Sequence, residues 1–157
     1  MQNKPRDRKA FIINPSMSRQ IIGVGGLFFI LLLGLLYMLE YAPINSMTDL
    51  LTWHSTGPRE LTNHELSIFF TVFVMLQFWN MFNARAFATG KSTFHFKDCK
   101  GFGIIVLVIF IGQIIIVQFG GKMFNVTPLC LTDWIAIIVV TSLVLWVGEL
   151  LRLINRK

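Results

Sequence analysis

Four apolar stretches dominate this sequence, at residues 21–39, 66–82, 102–119 and 134–151, and they leave few folds open to it. Each is long enough to cross a bilayer, which takes roughly 17–25 residues of helix. Inside hydrocarbon every backbone donor must find an acceptor within the protein, and a helix supplies one from its own segment. The runs are continuous, without the alternation of a membrane β-barrel. An all-α fold follows: a polytopic membrane protein, a four-transmembrane-helix bundle. Composition agrees, since 54% of the 157 residues are hydrophobic and only 14% charged, against about a quarter charged in soluble domains.

The charges that remain lie between the windows. Lys4, Arg6, Arg8, Lys9 and Arg19 precede the first; Arg85, Lys91, Lys97 and Lys100 lie between the second and third; Arg152, Arg156 and Lys157 end the chain. Only Arg59 and Lys122 fall in the other two connections. The positive-inside rule then predicts both termini cytoplasmic. The net charge of +6 is read as this topological signal and not as a nucleic-acid surface. Residues 1–20 form a cytoplasmic arm and 21–157 the membrane domain, with no repeat and no second domain. The first window starts too far in, and lacks the following small-x-small site, to be a cleaved signal peptide.

Polar residues within the windows are the functional candidates, because a bilayer tolerates them only beside a partner. Gln77, Asn80 and Asn83 follow one another at steps of three, a slowly winding ribbon on the second helix. They suit either the wall of an ion pathway or interhelical hydrogen bonding. Glu149 stands three residues before Arg152, which suits an ion pair at the cytoplasmic boundary. Gln113 and Gln118 diverge around the third helix, and Gln118 is expected to be wet. Trp53 and Trp134 suit an interfacial aromatic belt. Gly23, Gly25, Gly26 and Gly34 suit close helix approach.

No catalytic chemistry emerges. His54, His64 and His95 are read as loop residues on different sides of the membrane, so no metal or proton-relay site follows. Cys99 is expected inside and Cys130 outside, which excludes a disulfide between them. Asn125-Val126-Thr127 is a glycosylation sequon on the outer side, of consequence only in a eukaryotic secretory system.

Four stretches carry a family resemblance. Lys4-Pro5-Arg6-Asp7-Arg8 with Phe11-Ile12-Ile13-Asn14-Pro15-Ser16-Met17 resembles the cytoplasmic loop before the seventh helix of P-type calcium ATPases. Phe73-Val74-Met75-Leu76-Gln77-Phe78-Trp79-Asn80-Met81-Phe82-Asn83-Ala84-Arg85 resembles their eighth helix. Gln113-Ile114-Ile115-Ile116-Val117-Gln118-Phe119-Gly120-Gly121-Lys122-Met123-Phe124 resembles the outer end of the ninth. Asp133-Trp134 and Gly148-Glu149-Leu150-Leu151-Arg152 resemble the limits of the tenth. Order, spacing and orientation agree, and the Phe-Gly-Gly and Asn-Ala-Arg pieces are similar to the plasma-membrane type, whose bacterial members the resemblance implies.

The resemblance implies the carboxy-terminal segment, seventh to tenth helices, of a pump exporting calcium across the plasma (cell inner) membrane. Its partners would be the lipid bilayer and the remaining helices and cytoplasmic domains of the ATPase, with no nucleic acid. The parent pump would use Mg-ATP and transport Ca²⁺; this chain alone would bind no cofactor or metal. Such pumps phosphorylate an aspartate in Asp-Lys-Thr-Gly, whereas Asp occurs here at 7, 49, 98 and 133, never before Lys-Thr-Gly. The chain is therefore expected to support transport without hydrolysing ATP. Gln77 matches a position where the sarcoplasmic-reticulum type carries a glutamate of a second calcium site. It is expected to face the bundle, with Asn80, as a neutral remnant of that site. The alternative is a free-standing four-helix membrane protein acting as a regulator or assembly module.

Overall fold

A computed structural model describes residues 15–42, 57–89 and 100–154 of the chain, with side chains described except at 15–17, 20, 87–89 and 151–154. Among the described residues five helices follow in order: α1 (Pro15–Tyr41), α2 (Asn63–Thr89), α3 (Lys100–Phe119), the single turn α4 (Gly121–Phe124) and α5 (Leu131–Ile154). Each apolar window lies within one long helix, and α1, α2, α3 and α5 are all long and apolar enough to cross a membrane. No strand occurs among the described residues.

The least apolar of the four spans is the most enclosed. The α2 window has a mean hydropathy of 1.4 and is 50% buried, whereas the windows of α1 and α3 reach 2.5 and 2.7 and are 6% and 11% buried. A helix surrounded by protein needs complementary neighbours, while one facing lipid needs apolar residues all round. Accordingly α1, α3 and α5 all pack on α2, α5 most extensively. The core runs along α2 through Ile68, Met75 and Phe78 and takes in Phe28 and Leu39 of α1, Val117 of α3 and Ile137 of α5. Aromatic edges join α2 to α3: the rings of Phe82 and Phe102 meet nearly perpendicular at 5.2 Å between centroids, and those of Phe78 and Phe110 at 5.8 Å. Both lie in the range where aromatic pairs attract beyond their buried area.

Sequence chemistry sets the helix ends. Pro15 opens α1, where its fixed φ suits a first turn that needs no N–H. At the far end of α1, the guanidinium of Arg59 donates to the carbonyls of Leu39 at 3.2 Å and Ala42 at 3.1 Å, and its backbone N–H donates to Glu40 at 3.2 Å. These carbonyls have no partner within their own helix. The same guanidinium pairs with Glu65, which is 1% exposed.

Glu65 also completes a capping box. The N–H and hydroxyl of Thr62 donate to its carboxylate at 2.8 and 2.9 Å, and its own N–H donates to the Thr62 hydroxyl at 3.3 Å. Thr62 thus accepts one orphan N–H of the first turn of α2, and Glu65 accepts that of Thr62 in return. His64, expected in a loop, lies in that first turn because the box starts the helix ahead of its apolar stretch.

The turn after α3 needs both glycines of Phe-Gly-Gly, for different reasons. A Cβ on Gly120 would lie 2.3 Å from the Ile116 carbonyl oxygen, and Gly121 has φ +45°, a region that disfavours side chains. Elsewhere the close-approach reading of glycine needs correcting. A Cβ on Gly23, Gly25, Gly26 or Gly34 would meet nothing within 4 Å, because most of α1 faces outward. Trp134 is also not a belt residue. It is 7% exposed and belongs to the core, while Trp146 is 59% exposed.

Candidate functional site

The polar ribbon on α2 divides between two directions. Asn83 turns toward α5 and donates from Nδ2 to the Val144 carbonyl at 3.0 Å. Trp79, one turn earlier, donates from Nε1 to the Thr141 hydroxyl at 3.0 Å, and that hydroxyl donates in turn to the Ile137 carbonyl at 2.6 Å. Each of these groups has a partner inside the bundle, and interhelical hydrogen bonding describes them well. The Oδ1 of Asn83 is buried with no hydrogen-bond partner.

Gln77 does otherwise. It is exposed, and Asn80 is half-buried. At about 100° per residue, Phe73, Gln77, Asn80 and Ala84 fall within an arc of about 60°, and Phe73 and Ala84 are exposed as well. The remaining circumference of α2 is covered by α1, α3 and α5. Among these four helices Gln77 faces none of α1, α3 and α5. Residues such as Ile68, Met75 and Phe78 occupy the inward directions, and Gln77 falls on the arc they leave open. That arc carries a carboxamide near the middle of the span, where exposure to lipid is costly.

The N-terminal ends of α2 and α5 share a second polar cluster. Asp133, in the first turn of α5, is 1% exposed and accepts from the Cys130 thiol at 3.1 Å. His64 Nε2 lies 3.8 Å from the Asp133 carboxylate, and its Nδ1 lies 3.5 Å from the Thr127 hydroxyl. The Ser67 hydroxyl accepts the Thr127 N–H at 2.7 Å while donating to the Asn63 carbonyl at 2.7 Å. Gln118, expected to be wet, is part-buried and donates to the Leu129 carbonyl at 3.0 Å. The cluster ties the 126–130 connection to α2. It makes no metal centre: no group of three His, Cys, Asp or Glu able to hold an ion occurs among the described residues.

Gln113 is 4% exposed and its Nε2 has no partner. Asn125, the sequon residue, is exposed in a left-handed conformation with φ 52°. Glu149 is half-buried, but the side chain of Arg152 lies outside the described residues, and so does their expected ion pair. His54, His95, Trp53 and Cys99 lie outside them too. The sequence signal for the capping box, Thr-x-x-Glu at 62–65, was present but unread. The Trp79–Thr141 bond had no signal, since nothing in sequence pairs positions so far apart.

Comparison with known proteins bears on what covers the open arc. Residues 1–154 match the family model described as cation transporting ATPase, C-terminus. Among curated relatives, plasma membrane calcium-transporting ATPase 2 of Oreochromis mossambicus is 32% identical over 136 residues, covering 85% of this chain and 12% of that protein. Plasma membrane calcium-transporting ATPase mca-1 of Caenorhabditis elegans is 28% identical over 159 residues, 100% of this chain and 12% of its own length. Calcium-transporting ATPase PAT1 of Dictyostelium discoideum is 30% identical over 154 residues, 97% of this chain and 13% of its own length. All three are eukaryotic, so the bacterial narrowing of the resemblance finds no support among them. The chain spans about one eighth of the length of these relatives. It belongs to the family of cation-transporting ATPase C-terminal domains.

Proposed function

We propose that this chain is the C-terminal membrane part of a P-type ATPase that exports calcium across the plasma membrane, and that it braces the transport helices through the open arc of α2. The observation carrying this reading is the exposed Gln77. A carboxamide at that depth calls for a polar partner, and α1, α3 and α5 leave its direction uncovered. The other membrane helices of a pump are the natural cover for a segment matching one eighth of its relatives' length.

Calcium as cargo rests on the relatives, which are named as calcium-transporting ATPases. Gln77 and Asn80 stand beside the cation pathway in this reading without ligating strongly, because hard Ca²⁺ prefers carboxylate oxygens over neutral amides. Both termini and residues 86–100 lie in the cytoplasm, as the distribution of Lys and Arg requires. The chain hydrolyses no ATP by itself, since no Asp-Lys-Thr-Gly occurs in its 157 residues.

The test is reassembly. The chain is co-expressed with a related calcium pump lacking its matching segment, and the two are purified through a tag on the chain. The expected result is co-purification with recovered calcium-dependent ATP hydrolysis. Purification of the chain free of the pump remainder, with no recovered activity, contradicts the proposal.

A further inference from the structure

Gln113 is 4% exposed on α3, its Nε2 has no hydrogen-bond partner, and α3 packs chiefly on α2. Two ring contacts, Phe82 with Phe102 and Phe78 with Phe110, fix which sides of the two helices face each other and at what register. At about 100° per residue, Thr71 lies between the directions of Phe78 and Phe82 on α2, and Gln113 between those of Phe102 and Phe110 on α3. Counting back along α2 and forward along α3 from either contact sets Thr71 level with the turn from Gln113 to Val117. Thr71 is 0% exposed. An unpaired donor and a buried hydroxyl thus share one level of an otherwise apolar interface.

The Thr71 hydroxyl donates to the Ser67 carbonyl at 2.7 Å, which fixes its hydrogen and leaves its oxygen able to accept. It also ends a polar file along α2. Asn63, Ser67 and Thr71 recur at every fourth residue and so share one side of the helix. Ser67 is 0% exposed; its hydroxyl donates to the Asn63 carbonyl and accepts the Thr127 N–H, both at 2.7 Å. Beyond it the Thr127 hydroxyl lies 3.5 Å from Nδ1 of His64, whose side chain is 29% exposed. The file therefore links Thr71 to the N-terminal end of α2, where His64 meets solvent.

We propose that the α2–α3 interface is a binding site for one water molecule, which accepts from Gln113 Nε2 and donates to the Thr71 hydroxyl oxygen. Two polar groups that face each other without bonding directly call for a bridging water, and buried waters sit where polar groups would otherwise go unsatisfied. The bridge gives the Gln113 amide a partner away from lipid and adds a polar tie to the aromatic contacts that join α3 to α2. It exchanges with solvent along Thr71, Ser67 and Thr127. The site does not depend on the chain's role in a pump.

The full chain is reconstituted in bicelles with nitrogen-15 in its glutamines, and the Gln113 side-chain amide is assigned by its loss in Gln113→Met. Rotating-frame spectra separate through-space transfer from proton exchange. The expected result is a through-space cross-peak from the water resonance to the Gln113 amide hydrogens. Thr71→Val removes that cross-peak and Thr71→Ser, which keeps the hydroxyl, retains it, both at unchanged helicity. No cross-peak in the unaltered chain overturns the proposal, because the amide is then dry or bonded directly to Thr71. This first measurement needs no variant, so it decides even where Thr71→Val fails to fold. A cross-peak of unchanged intensity in folded Thr71→Val overturns the proposal as well, because the water is then held elsewhere.

Discussion

Asn83 of α2 fits so closely against Gly148 of α5 that a Cβ on the glycine would lie 2.6 Å from the amide carbon and from both of its heteroatoms. The amide's Nδ2 meanwhile reaches the Val144 carbonyl at 3.0 Å. The two helices thus approach through a glycine facing an amide, at the end of the seam that begins with Trp79 and Thr141. Gly148→Ala displaces the end of a flexible side chain held by a hydrogen bond to Val144, so it is expected to destabilise the bundle by about 1 kcal/mol. Asn83→Ala in the same background should return part of that loss, since residues in contact couple. Unfolding by sodium dodecyl sulfate in mixed micelles, followed by helicity, measures both.

The Trp79–Thr141 bond should matter less. Interhelical hydrogen bonds in membrane proteins average about 0.6 kcal/mol. Thr141→Val also removes the donor to the Ile137 carbonyl, which α5's own ladder already engages. A loss of about 1 kcal/mol or less in the same unfolding measurement is expected. A much larger loss would mean that the hydroxyl organises more than this seam.

The clasp between the end of α1 and the start of α2 is the stronger fastening. Arg59 joins Glu65 to two carbonyls at the end of α1, and Glu65 is buried. Removing one member of a buried pair leaves the other uncompensated, so Arg59→Met is expected to cost about 3 kcal/mol. Thr62→Ala, which removes only the cap, should cost about 1 kcal/mol. Protease accessibility of the connection between α1 and α2 is expected to rise in Arg59→Met before helicity falls.

Much of this architecture was legible in the sequence, and the rest failed for identifiable reasons. Continuous apolar runs such as 102–119 announce a membrane helix because lipid makes the same demand on every face. The side a residue faces depends on which neighbour covers it, and only tertiary packing decides that. So Asn83 and Gln77, about 120° apart on α2, differ in that one meets α5 and the other no described helix, and Trp134 goes to the core where Trp146 does not. Gln77 was legible as a candidate, but that α1, α3 and α5 leave it uncovered was not. His64 was expected in a loop because the capping box of Thr62 and Glu65 starts the helix before its apolar stretch. The glycines of α1 were misread because closeness needs a second helix, and Gly148 has one.

Orientation is open to a labelling experiment. With Cys99 and Cys130 replaced by serine, single cysteines introduced at positions 50 and 125 should react with an impermeant maleimide added outside, and one at 92 should not. Outside labelling at position 92 would reverse the assigned topology.

The central claim is that the open arc of α2 borders the cation pathway of a calcium pump, and Gln77 tests it most directly. In the reassembled pump, ATP hydrolysis is measured against free calcium for the unaltered chain, Gln77→Glu, Gln77→Leu and Gln113→Glu. Gln77→Glu sets a carboxyl beside the pathway and Gln77→Leu removes a dipole, whereas Gln113 is buried on α3, away from the open arc of α2. The account predicts that both changes at Gln77 shift apparent calcium affinity or cooperativity, Gln77→Glu more than Gln113→Glu. If both leave affinity and cooperativity at the values of the unaltered chain, the arc does not border the pathway and Gln77 is structural only.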